Sequence, residues 1–233
     1  DSDDYWCEPK GLQVIYDAVN ARPIDILVFG VERIDAKTGK HAPRPYYPPE
    51  LNEMSTPQIL SLLLERNTLL SSFYEMAIRR DFLVGNLLYL DETLPTAEDG
   101  EWQMRSMCFG PRYGFINDAI YCSLRGTADV FRAARWDRLE AMCSFLEKYW
   151  AREYPSPELK GCVLGLGAYH YTLLCAQAAS GERCARRAAL LLRLRALRGY
   201  WDYAKERKSL LAARVYRACG FRLTVGLLGR YIK

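Results

Sequence analysis

The sequence has 233 residues, 50% hydrophobic and 26% charged, enough for one domain or two small ones around a buried core. No apolar run approaches the roughly 20 residues a bilayer span requires, and the eight cysteines form no C-x-x-C pair, so neither a membrane span nor a zinc or disulfide framework is expected. The net charge of +4 conceals an asymmetry: residues 1–128 carry 12 Lys and Arg against 19 Asp and Glu, and residues 129–233 carry 20 against 9, so front and back should face different partners.

The chain opens on DSDDYW, with Asp1, Asp3 and Asp4 in its first four residues. Such a cluster is either a solvated terminus or, if it follows a buried strand, a rim of carboxylates for a hard divalent cation. A helix follows in EPKGLQVIYDAVN, where Pro9 suits the first turn and Leu12, Ile15, Tyr16 and Val19 share one apolar face. IDILVFGVERID is nearly continuous in apolar residues from Ile24 to Phe29, as a strand buried on both faces would be. The Pro-rich AKTGKHAPRPYYPPE reads as a loop. STPQILSLLLE restarts a helix capped by Ser55 or Thr56.

SSFYEMAIRRDFLVGN predicts a buried turn or strand leading into a short helix that ends near Gly85. EDGEWQMRSMC predicts another short helix, with carboxylates in its first turn where the dipole favours them. RYGFINDAIYCSL reads as two short strands turning at Asn117-Asp118, and three to five helices follow from Asp129. A domain break is expected near Gly126.

Glu98 and Asp99 have two uses: holding the free amides of a helix start, or serving as a base at the mouth of a cleft. Trp102, one turn later, is either core or a stacking wall for a sugar. Arg79-Arg80 and Arg125 could meet phosphate oxygens. Of the two histidines, His41 has no recognisable setting and His170, in GAYHYTLLC, reads as packed. The thiols are expected to be reduced, mostly buried and cytosolic.

In order, DSDDYW, IDILVFG, RRDFL, EDGEW and YGFINDAIY resemble the family 2 glycosyltransferases of bacterial surface-polysaccharide pathways, from Asp1 to about Leu124. DSDDYW resembles the family's D-x-D segment, MAIRRDFL the start of its acceptor half, and EDGEW its E-D motif. The place of the family's aromatic-x-Lys is taken by Tyr74 and Met76.

The resemblance implies an α/β chain: residues 1–126 as the later part of a GT-A (Rossmann-like) domain whose opening nucleotide-binding part is missing, and 127–233 as a basic helical region. It also implies inverting, metal-dependent transfer of a hexose from a nucleoside diphosphate-sugar to a glycan or lipid-linked acceptor, for surface-polysaccharide or glycolipid synthesis. Asp3 and Asp1 would hold Mn²⁺ or Mg²⁺ and the donor. Asp99 would be the base with Glu98 beside it. Trp102 and Tyr74 would touch the acceptor, and Arg79, Arg80 and Arg125 the phosphates. The stretch alone would be inactive.

The basic segment 183–233 suits an anionic membrane surface at the cytoplasmic face. Its aromatics do not alternate with its basic residues as a nucleic-acid platform's would, so no nucleic acid is expected. The rival reading is a non-catalytic remnant that docks on a membrane or a partner.

Overall fold

A computed structural model describes residues 4–7, 9–66, 68, 73–92, 94, 98–125 and 135–231. In chain order the elements are β1 (Tyr5–Trp6), α1 (Gly11–Ala21), β2 (Ile26–Asp35), α2 (Thr56–Glu65), β3 (Met76–Ile78) and α3 (Arg80–Gly85). Then come α4 (Glu98–Met107), β4 (Tyr113–Arg125), α5 (Arg135–Trp150), α6 (Pro157–Ser180), α7 (Ala185–Ala196) and α8 (Arg207–Tyr231). Two compact units emerge, 1–59 with 70–89 and 109–133, and 60–69 with 90–108 and 134–233. A single break near Gly126 does not describe this division, because 60–69 and 90–108 group with the C-terminal helices.

The first unit is a four-stranded mixed sheet in the order β1-β4-β2-β3. β2 pairs parallel with β4, and antiparallel pairs flank them on either side. The apolar run of β2 is buried as expected.

RYGFINDAIYCSL forms one 13-residue strand rather than two strands and a turn. Its register jumps from Val28↔Phe115 to Gly30↔Ala119, so residues 116–118 bulge. Gly30 permits this: a Cβ there would sit 2.8 Å from the Asp118 carbonyl oxygen and 2.9 Å from that of Asn117. A bulge bends a strand without ending it.

α1 forms where its pattern predicts, but a different face packs. Leu12, Tyr16 and Val19 are exposed, while Gly11 is buried and Val14 and Ile15 pack on Phe29, Val31 and Ile120. Gly11, Val14, Ile15 and Ala18 satisfy the same helical period, and only Gly11 lets Ile120 approach so closely.

Side-chain amides extend the sheet's hydrogen bonding. The Asn52 amide donates to the Phe115 carbonyl (3.1 Å) and its oxygen accepts the Phe115 N–H (2.8 Å). Asn117 does the same for Tyr47, at 2.8 Å each way. The buried Asp25 accepts from Arg79 (2.5 Å) and from the backbone and side chain of Arg112 (2.9 Å each). Burial works against its charge, but the hydrogen bonds and charge of Arg112, with Arg79, hold the carboxyl below its ordinary range. Buried Glu75 pairs with Arg33 of β2.

The second unit is helical and is built on α6, which is buried nearly all round. Ser156 caps α6 ahead of Pro157. Buried Tyr200 and Trp201 pack on α6, where the Trp201 indole N–H donates to Thr172 (3.1 Å). Glu206 is fully buried and caps α8, accepting the N–H groups of Lys208 and Ser209 at 2.9 Å each. Gly220, at φ 74°, interrupts α8. Arg186 joins α7 to Asp137 and Glu140 of α5, and Arg193 joins it to Glu147. Five cysteines are buried, Cys7 is half-buried, and Cys184 and Cys219 are exposed. Among the described residues, no helix is long and apolar enough to cross a membrane.

Candidate active site

The acidic turn and the E-D motif fall in different units. Asp1 and Asp3 lie outside the described residues. Asp4 is described: it accepts the Tyr121 hydroxyl (3.1 Å) and the Leu124 N–H (3.0 Å), which ties Asp4 to β4. Tyr121 in turn stacks on Tyr74 (5.6 Å between centroids) and meets Trp6 edge-on. Tyr74 is half-buried on the β2–β4 cluster.

Among the described residues no group of three His, Cys, Asp or Glu side chains could hold a metal ion, and Asp4 is spent on β4. Arg79 is engaged by Asp25 although its side chain is half exposed. Arg80 is exposed at the start of α3. Arg125 ends β4, and its side chain lies outside the described atoms.

In the helical unit α4 begins at Glu98, which puts Glu98 and Asp99 in its first turn. Burial, and then the neighbouring Glu98 charge, raise the Asp99 carboxyl to about 6. Among the described residues, Oε2 of Glu98 is buried and has no hydrogen-bond partner. Such an orphaned oxygen marks a place where a donor belongs.

Gly100 lies flat against the His170 imidazole of α6, where a Cβ would be 2.9 Å from Cε1 and 3.1 Å from Nε2. Burial lowers the His170 pKa to about 4, so the ring is neutral at pH 7, and its Nε2 is also buried without a partner among the described residues. Phe145 and Tyr169 flank the ring edge-on. A carboxylate poised near neutrality thus sits one residue from a glycine that faces a neutral imidazole. Such a group can accept a proton from a hydroxyl at physiological pH.

Trp102 does not serve as an acceptor wall. It is 1% exposed, on a helix whose next residues are also largely buried, so neither ring face is offered to a ligand. Glu101 beside it is equally buried and fully used: it accepts from Tyr149 (2.8 Å) and Arg105 (3.0 Å), with Lys148 at 3.7 Å. The sequence pattern passes over Asp25, Glu101 and the placement of His170. An Asp inside the apolar run IDILVFG and an i,i+4 Glu101–Arg105 pair were the available signals for the first two.

No protein-family profile and no curated protein matches the sequence. Solved structures do match, and the likeness is one of fold. Among them are structures of S. aureus TarS. TarS 1–349 in complex with UDP-GlcNAc superposes at a TM-score of 0.60 with 16% identity, over 99% of this chain and 65% of that one. The UDP complex gives 0.58 at 16% identity, over 99% and 64%. A longer TarS structure gives 0.59 at 16% identity, over 100% and 39%. The chain therefore spans just under two-thirds of the shorter TarS structures.

Proposed function

We propose that this chain is part of an inverting glycosyltransferase of family 2, with a GT-A architecture, that transfers a hexose from a nucleoside diphosphate-sugar to an acceptor hydroxyl. The observation that carries the reading is Asp99, held on a helix start with its carboxyl near 6, in a fold shared with a protein solved with UDP-GlcNAc. Asp99 takes the acceptor proton as the oxygen attacks the anomeric carbon. Glu98, whose Oε2 has no donor among the described residues, accepts a hydrogen bond from the acceptor and orients it. Asp1 and Asp3 would hold Mn²⁺ or Mg²⁺, which supplies positive charge to the departing diphosphate. Tyr74, stacked beside the Asp4-bound Tyr121, is the acceptor contact retained from the sequence, and Arg80 and Arg125 remain candidates for the phosphates. The acceptor is a glycan or a lipid-linked glycan, presented at the cytoplasmic face of a membrane.

Asp99→Asn in the full-length protein tests this reading. General-base catalysis contributes about 10²–10⁴-fold, so transfer should drop by that factor while calorimetry still detects UDP-sugar binding. Wild-type turnover in Asp99→Asn would remove Asp99 from the mechanism.

A further inference from the structure

The arginines of α7 divide into two sets. Arg186 and Arg193 point to α5 and are neutralised by Asp137, Glu140 and Glu147. Arg183, just before the helix, with Arg187 and Arg195, lines instead a groove of about 610 Å³. Across it stand Arg222 and Arg230 of α8. Among the described residues no carboxylate lines this groove. Arg187 donates to the Ala179 carbonyl (2.9 Å), and its Nε is buried without a partner among the described residues. Five arginines along one groove, with no carboxylate among its described lining residues, give it a positive potential that suits an anion.

The groove is also half apolar, with Leu191, Phe221 and Val225 in its wall. Its outer edge decides what kind of anion fits. Beyond Gly220, the exposed residues of α8 are Arg222, Leu223, Gly226, Leu227, Arg230 and Tyr231. At helical spacing they form two adjacent rows: Arg222–Gly226–Arg230 on the groove, and Leu223–Leu227–Tyr231 beside it. The second row is 41–86% exposed, and Leu192 on α7 is 69% exposed. A soluble polyanion has no use for exposed leucines. A lipid bilayer takes both, with phosphates in the groove and apolar side chains at the acyl boundary.

We propose that the α7–α8 groove seats the phosphate headgroups of anionic phospholipids, with Leu192, Leu223, Leu227 and Tyr231 entering the bilayer interface beside them. The proposal makes specific the membrane-face part of the functional reading and is independent of its chemistry, since vesicle binding requires no sugar transfer.

Sedimentation with vesicles of phosphatidylcholine, with and without phosphatidylglycerol, tests it on the 233-residue chain. The chain should pellet with the anionic vesicles and stay in solution with neutral ones. Each basic residue at such a surface is worth about fivefold in affinity, so Arg195→Gln with Arg222→Gln should weaken binding about 25-fold. The charge-matched control, exposed Arg207→Gln with Arg214→Gln, should weaken it far less. Leu223→Ser with Leu227→Ser should weaken it with no change in charge; both are exposed, and circular dichroism checks the fold of every variant. Equal losses from the two arginine pairs, or no pelleting by the wild type, overturn the proposal. So does binding that soluble polyphosphate abolishes and the leucine substitutions leave intact, since the groove would then serve a free polyanion.

Discussion

Replacing Asp99 by Asn removes a charge that the fold makes costly and keeps the side chain's shape. The Asp99 carboxyl is raised from 3.8 to about 6, first by burial and then by Glu98. Because the folded value lies above the ordinary one, Asp99 favours the folded state most at pH below about 4, and that contribution is lost as pH rises through about 6. The displacement is worth at most about 3 kcal/mol. Asp99 is only partly buried, so solvent screening reduces this, and the helix dipole returns about 0.5 kcal/mol to the charged form. The remainder is on the order of 1 kcal/mol in favour of Asn at neutral pH, which corresponds to a melting shift of about 2–4 °C. Thermal melts of the two proteins should differ by this much at about pH 7.5 and converge near pH 4, where Asp99 is neutral. The variant that loses transfer would then be the more stable protein, as expected of a site strained for function. An Asn variant less stable than wild type at neutral pH, or a difference that does not vary with pH, would refute the assignment of a desolvated carboxylate.

Gly30→Ala should destabilise the sheet unit by about 1–3 kcal/mol, measured by urea unfolding, because its Cβ meets two backbone carbonyl oxygens of the bulge, which cannot rotate away. Gly100→Ala drives a methyl into the His170 ring, which Phe145 and Tyr169 flank. In a cycle with His170→Ala the two substitutions should couple by about 1 kcal/mol or more; strictly additive effects would mean that the ring yields freely.

The helices and the buried strand β2 were legible because their periods are unambiguous over long stretches. The packed face of α1 was not, because two faces of the same helix fit one apolar period, and a glycine rather than a leucine marks the packed one. The Asn117-Asp118 pair has turn chemistry, yet Gly30 on the neighbouring strand absorbs it as a bulge, a pairing no local pattern displays. Carboxylates in the first turn of α4 were legible, but His170, which packs on Gly100, lies some seventy residues away in sequence and is brought there only by the packing of α6. Trp102 illustrates the reverse error: an aromatic next to an acidic motif suggests a ligand, and burial assigns it to the core.

Asn52 and Asn117 bear on how this protein can vary. Each presents an amide that pairs with backbone as a peptide group would, so the stretch from Tyr47 to Asn52 is bonded to β4 although it is not a strand. Between Asp35 and Tyr46 the connection is largely exposed and is tied down mainly near β2. Insertions and deletions are therefore tolerable before Tyr47. From there to Asn52, a one-residue change in length would put both amides out of register and undo the loop's hold on the sheet.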